Sequence, residues 1–218
     1  MKKRKNIITV AIDSPAAAGA GTQAKLLAEY FNLFYLDTGK IYRYIGNLKI
    51  INGSKFTYKF VKKKINKLRL HYLRNKTLLS NEVAIVASII ARDKKIREIV
   101  HKFQQKCAYT PPLKYRGSVL DGRDIITIQV KDAMFKFYIT ASLKVRAKRR
   151  FREYKNLNKK ISYKEVLKSL RIRDKSDKER KYGPLKKTKE SILINTTKLS
   201  KKACFNKIKA IMEKKLNN

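Results

Sequence analysis

Ile7-Ile8-Thr9-Val10-Ala11-Ile12-Asp13-Ser14-Pro15-Ala16-Ala17-Ala18-Gly19-Ala20-Gly21-Thr22 is the segment on which the fold turns. Ile7–Ile12 is a short β-branched run, the pattern of a buried strand. Asp13 to Thr22 is a run of small residues, and Ala24, Leu27, Ala28 and Phe31 then recur at helical spacing. Strand, small-residue loop and helix in that order open an α/β fold in which a helix N-terminus faces outward. Such a terminus attracts anions, because its N–H groups are unpaired and the helix dipole is positive there.

Outward from this segment the alternation continues. Phe34–Leu36 reads as a second strand, Asp37-Thr38-Gly39 as a turn with capping chemistry, and a helix is expected from about Lys40 to Ile51. Residues 53–80 are lysine-rich and predict one helix and a loop. Asn81–Ile90 and Asp93–Lys106 predict two helices, with Asn81 and Asp93 as N-caps. Strands are expected at Ser118–Leu120, Phe135–Thr140 and Ile192–Asn195. Helices are expected at Ala141–Tyr154, at Ser162–Arg173 behind a Ser162/Glu165 capping box, and at Ser200–Lys214. The expectation is a three-layer α/β/α core around a five-stranded parallel sheet, its site at the C-terminal edge of the strands.

The 218 residues suffice for one sizeable core, and 43% are hydrophobic, a globular composition. No apolar run approaches a membrane span. The basic start Met1 to Lys5 precedes a run read as a strand rather than a signal peptide. Cys107 and Cys204 lie far apart and match no metal spacing, which suits free thiols and a cytoplasmic setting. His71 and His101 have no ligand-spaced partner. Fifty-five Lys and Arg against sixteen Asp and Glu give a net charge of +39, which attracts polyanions of any kind. The lysines are spread along the chain, with no helix-turn-helix, RNA-recognition or zinc-finger pattern, so no specific nucleic acid is expected.

A phosphate loop reads G-x-x-x-x-G-K-[ST], its lysine reaching the β and γ phosphates. Here Ser14 stands at the first glycine and Ala20 at the lysine, while Gly19, Gly21 and Thr22 remain. Taken alone, the loop does not decide between a phosphate site and an ordinary strand-to-helix turn.

Four further blocks follow in order: Leu36-Asp37-Thr38-Gly39-Lys40-Ile41-Tyr42-Arg43; Val83–Ser88 with Lys95-Ile96-Arg97; Asp121-Gly122-Arg123-Asp124; and Arg173-Asp174-Lys175-Ser176-Asp177-Lys178-Glu179-Arg180, trailed by Pro184-Leu185. With Asp13–Thr22 they resemble bacterial cytidylate kinases, P-loop nucleoside-monophosphate kinases, over nearly the whole chain. The resemblance implies transfer of a phosphoryl group from ATP, with its Mg²⁺, to CMP or dCMP. It implies a core of residues 1–36, 113–154 and 184–218, a helical monophosphate-binding lobe of 37–112 and a lid of 155–183. Ser14, Pro15, Ala16, Ala17, Ala18, Gly19, Ala20, Gly21 and Thr22 would take the ATP phosphates, with Arg146 and Arg150 beside them. Thr38, Arg43, Ser88, Arg97, Arg123, Asp124 and Asp177 would hold the acceptor. Arg123, Arg173 and Arg180 would act on the transferring group. No resident metal is implied.

The chain departs from the family pattern at Ser14, Ala17 and Ala20. It departs again at Ile126, where a glycine is usual, at Ser176 and Lys178, where arginines are usual, and in a shorter stretch between about Arg69 and Asn81. Ser14 and Ala17 make positive φ harder to reach. Ala20 raises the question of whether Lys25 or Lys40 supplies the missing charge. It leaves open a nucleotide-binding protein without transfer activity, and the charge leaves open a basic nucleic-acid-binding protein.

Overall fold

The computed structural model describes residues 7–158 and 160–217; the basic segment Met1–Lys5 lies outside them. The strands are β1 (Ile8–Asp13), β2 (Leu33–Asp37), β3 (Gly117–Gly122), β4 (Phe135–Thr140) and β5 (Ile192–Asn195). They form one parallel sheet in the order β2-β3-β1-β4-β5. The helices are α1 (Ala20–Tyr30), α2 (Thr38–Asn52), α3 (Tyr58–Asn66), α4 (Asn81–Ile90), α5 (Lys94–Tyr109), α6 (Leu143–Asn156), α7 (Tyr163–Glu179) and α8 (Lys201–Leu216).

Both faces of the sheet are covered, which is why β1 is buried at every position rather than at alternate ones. On one face, Val10, Ile12, Phe137 and Ile139 pack against Leu27 of α1 and Ile208 and Met212 of α8. On the other, Ala11, Leu36 and Leu120 meet Ile41 and Ile45 of α2 and Ile96 and Val100 of α5. A third cluster joins Ala147 of α6 to Val166 and Leu170 of α7, with Ala16 of the small-residue loop beneath them. Gly46 brings α2 against α4: a Cβ there would lie 3.0 Å from the Ala87 nitrogen.

Several boundaries differ from expectation. Thr38 is the first residue of α2, not part of a turn, because the Asp37 carboxylate caps the helix by accepting from Lys40 N (3.3 Å). The residue capping α4 is Ser80, whose Oγ accepts from Val83 N. β3 runs on through Asp121 and Gly122. Residues 53–80 hold three short 3-10 turns as well as α3. α7 continues six residues beyond Arg173, to Glu179. Nothing in 174–179 breaks a helix, and Asp174 and Asp177 find arginine partners on other elements. The expected Asp93 cap and the Ser162/Glu165 capping box are both present.

Candidate active site

The C-terminal ends of β1, β2 and β3 deliver Asp13, Asp37 and Asp121 to one edge of the sheet, with Asp37 and Asp121 partners in register. Asp121 is buried and one oxygen, Oδ1, has no hydrogen-bond partner. Its pKa is pushed up to about 8 by burial and by the Asp37 charge, against a hydrogen bond from Tyr35 and the charges of Arg123 and Lys25. Asp13 is also buried, accepting from the backbone N–H groups of Ile125 (2.8 Å) and Ile126 (3.0 Å).

Burial and the Asp124 charge push the Asp13 pKa up to about 7. Because the folded value exceeds the unfolded one, the folded chain binds this proton more tightly, and stability falls as pH rises from about 4 to about 7. Relative to Asp13→Asn, which lacks the proton equilibrium, the wild type should lose on the order of 2–4 kcal/mol across that window. Urea unfolding of both proteins at pH 4.5 and pH 8 reads the difference.

The small-residue loop leaves β1 and turns into α1. Ser14 N donates to Gly122 O, tying the loop to β3. Gly19 has φ +97° and Ala17 φ +61°, so an alanine occupies the left-handed conformation that glycine takes freely. Ala17→Gly relieves that strain but loosens the unfolded chain; the net expectation is a gain of about 0.5–1 kcal/mol, seen as a rise of about 2 °C in the melting temperature.

Arg146 supports the loop from below. Its Nε donates to Ala141 O, its Nη1 to Ala16 O and to Asp174, and its Nη2 to Asp174 (2.6 Å). It therefore fastens the loop to α7, and four of its five N–H groups are spent on protein. Arg149 lies against the loop as well, reaching Ala18 O, Thr196 Oγ1 and Thr196 O. Ala20 begins α1 with its side chain packed in the apolar core.

Opposite the loop, the arginines singled out in the sequence converge. Arg123 Nε donates to Asp177 (2.8 Å), and Arg173 and Arg180 lie 3.9 and 3.8 Å from the same carboxylate. These three arginines hold Asp177 below its ordinary pKa despite burial. Arg97 bridges to Asp124 and donates to Ala91 O, its guanidinium over the Tyr42 ring. Arg180 Nη2 is buried without a hydrogen-bond acceptor, 3.6 Å from Asp124 Oδ1. Its Nε donates to Gly183 O. Gly183, at φ +61°, crosses so close over the Arg97–Asp124 pair that a Cβ would lie 2.4 Å from the Arg97 guanidinium.

Arg43, Arg123, Arg150 and Arg173 repel one another. Arg43 is lowered by burial and by Arg150. Arg173 falls to about 10 through burial and through the charges of Arg123, Arg43 and Arg150, which outweigh Asp177. Charges are gathered this way where an anion is meant to sit among them, because a guanidinium fork binds phosphate bidentately and stays protonated.

The family model described as cytidylate kinase matches residues 10–214. The chain belongs to the cytidylate kinase family. A protein named cytidylate kinase from Thermosipho melanesiensis is 35% identical over 216 residues, covering 94% of this chain and 97% of the relative. One from Clostridium botulinum is 34% identical, covering 95% and 98%. The crystal structure of an uncharacterized protein from Eubacterium ventriosum superposes with a TM-score of 0.55 at 15% identity over 94% of this chain, a likeness of fold alone.

Within this cytidylate kinase frame, the structure brings Arg43, Arg97, Arg123, Asp124, Arg150, Arg173, Asp177 and Arg180 into one network. Arg150 also pairs with Glu153. Thr38 uses its hydroxyl on Asp121 O. Ser88 is half-buried on α4, outside the hydrogen bonds of that network. Thr22 is exposed at the start of α1. Sequence reading missed Tyr42, whose buried hydroxyl has no partner beside Arg97; it lies inside a quoted block, and only its neighbours were singled out. It also missed the Asp37–Asp121 pair, Arg149 and Gln129. The two aspartates meet only through strand register.

Among the described residues no helix is long and apolar enough to cross a membrane. Cys107 and Cys204 are free thiols.

Proposed function

We infer that this chain transfers a phosphoryl group from ATP to CMP. Family membership gives the reaction class, and the cluster of Arg43, Arg123, Arg150 and Arg173, in which Asp177 answers Arg123 and Arg173 and the like charges still outweigh it at Arg173, carries the reading. A CMP phosphate oxygen attacks the γ phosphorus in line and ADP leaves, with negative charge spread over three equatorial oxygens. Fixed guanidiniums facing that charge supply the positioning and electrostatic stabilisation that this reaction requires.

The proposal assigns the loop Ser14–Thr22 to the ATP phosphates, residues 37–112 to acceptor binding and 155–183 to a lid. Arg146 and Arg149 keep the loop in shape, and Arg150 borders the donor side. Thr38, Arg43, Ser88, Arg97 and Asp124 belong to the acceptor side, with Asp124 reading the base. Asp177 orients Arg123, Arg173 and Arg180 toward the transferring group. Lys25 supplies the charge missing at Ala20: it is exposed on α1 and its charge reaches Asp121.

Mg²⁺ arrives with ATP, and the carboxylates at the sheet edge fit it. Asp121 carries a buried oxygen without a donor, beside Asp37, and hard oxygen ligands from one or two carboxylates plus phosphates suit this ion. When bound, it neutralises charge on the β and γ phosphates. The deciding experiment is a coupled assay of ADP release with ATP and each nucleoside monophosphate; absence of turnover with every monophosphate would overturn the reading.

A further inference from the structure

Asp124 is clamped by Arg97 of the acceptor side and, from behind, by Gln129, which has no place among the substrate contacts of the proposed site. Its Oδ2 accepts from Arg97 Nη2 and from Gln129 Nε2 (2.9 Å). Gln129 is 1% exposed, at the end of a π-helical turn over Ile125–Gln129. On its other side Gln129 Oε1 meets His101 Nδ1 of α5.

The direction of these bonds follows from donor and acceptor counting. A carboxylate paired with arginine is ionised and only accepts. Gln129 must therefore turn its NH₂ toward Asp124 and its carbonyl toward His101. His101 Nδ1 must then carry a proton, as the neutral Nδ1–H tautomer or as imidazolium. Donation runs one way, from His101 to Gln129 to Asp124, and each bond polarises the next.

Two donors fill Oδ2, so Asp124 cannot exchange its oxygens without breaking both bonds. Oδ1 is left as the fixed acceptor; the nearby Arg180 Nη2, at 3.6 Å, is beyond hydrogen-bond distance. We propose that His101 and Gln129 are positioning residues that lock Asp124 as an acceptor and so make the site choose cytosine over uracil. The proposal rests on the reading that Asp124 meets the base. Cytosine presents an N4 amine donor on the edge where uracil, like thymine, presents an O4 acceptor. Opposed to a locked carboxylate oxygen, the O4 carbonyl leaves two buried acceptors unpaired, and sites built on a buried hydrogen bond reject such analogues strongly.

The test measures kcat and KM for CMP and UMP at fixed ATP, with calorimetric Kd values for both, on the full chain. The proteins are wild type, Gln129→Leu, His101→Leu/Gln129→Leu and Asp124→Asn. The double variant replaces buried Gln129 and half-buried His101 together by apolar side chains, so that neither is left facing a lost partner, and it guards against misfolding of the single variant. Both Gln129 variants should lower the CMP:UMP ratio of kcat/KM about tenfold, mostly through KM for CMP, with KM for ATP unchanged. A merely structural pair would not move that ratio. If Asp124→Asn collapses the ratio while the folded double variant keeps it, the proposal is overturned and the reading of Asp124 stands. If Asp124→Asn keeps the ratio, the reading of Asp124 fails and the proposal fails with it. Should turnover be absent in all four proteins, the Kd ratio is scored in the same way.

Discussion

Arg173→Met lowers kcat with CMP by about 10²- to 10³-fold, the loss seen when a fixed electrostatic donor to the transition state is removed. The same change should make the nucleotide-free protein more stable. Arg173 lies among Arg43, Arg123 and Arg150, and burial and their charges bring its pKa down to about 10 from an ordinary 12.5. Its attraction to Asp177 spans 3.9 Å and leaves that carboxylate still paired with Arg123 when Arg173 is gone. Methionine keeps much of the stem volume and removes the repulsion. Because the Arg173 side chain is about a third exposed, solvent screens most of this repulsion, and a gain of at most about 1 kcal/mol, or roughly 2–4 °C in the melting temperature, is expected. CMP and ATP together should then stabilise the variant less than the wild type, because the anion has one fewer guanidinium to neutralise. A variant with wild-type turnover would remove Arg173 from the mechanism. A variant of lower apo stability would show that its tie to Asp177 outweighs the repulsion.

Lys25→Met is expected to cut kcat by about 10- to 100-fold, and adding Ala20→Lys should restore most of the loss. Gly21, one residue past Ala20, would carry a Cβ only 3.5 Å from the Asp121 carboxylate, and Lys25 is exposed one turn further along α1 with its charge felt by Asp121. A lysine at position 20 starts from a buried site but has a stem long enough to carry its amine out of the apolar cluster. If Lys25 supplies the charge, Ala20→Lys alone adds little, and the two positions are strongly non-additive in a double-mutant cycle. If Lys25→Met is silent and Ala20→Lys alone accelerates turnover, the native loop is underpowered. If both are silent, Lys40→Met is the remaining arm, and a loss there moves the assignment to α2.

The alternation of apolar runs and helical patterns was enough to read five parallel strands within two residues of their ends, because short apolar runs rich in β-branched and aromatic residues, bounded by turn or capping residues, alternate with longer helical patterns. Arg43, Arg97, Arg123, Arg173 and Arg180, which stand in ordered sequence blocks, do converge in the structure. Their pairings were not legible in the sequence. Asp177, which the resemblance implies as an acceptor contact, is the carboxylate around which Arg123, Arg173 and Arg180 gather. Arg146 reads as a donor-site arginine and spends most of its hydrogen bonds holding the loop to α7. His101 had no partner at ligand spacing, and its partner, Gln129, lies 28 residues away on another element.

By itself, then, the sequence determined the family, the order of the elements and which residue types crowd the strand ends, since local periodicity and short motifs are written in neighbouring positions. Only the tertiary structure decided which charge answers which. Strand register set Asp37 beside Asp121, the crossing of α5 over Ile125–Gln129 set His101 behind Asp124, and the run of α7 beyond Arg173 set Asp177 among three arginines. In the loop that opened the reading, it also showed Ala17 in a glycine's conformation and Ala20 facing the core. Such outcomes depend on packing between distant segments, where burial and unbalanced charge are fixed by three-dimensional neighbours rather than by spacing along the chain.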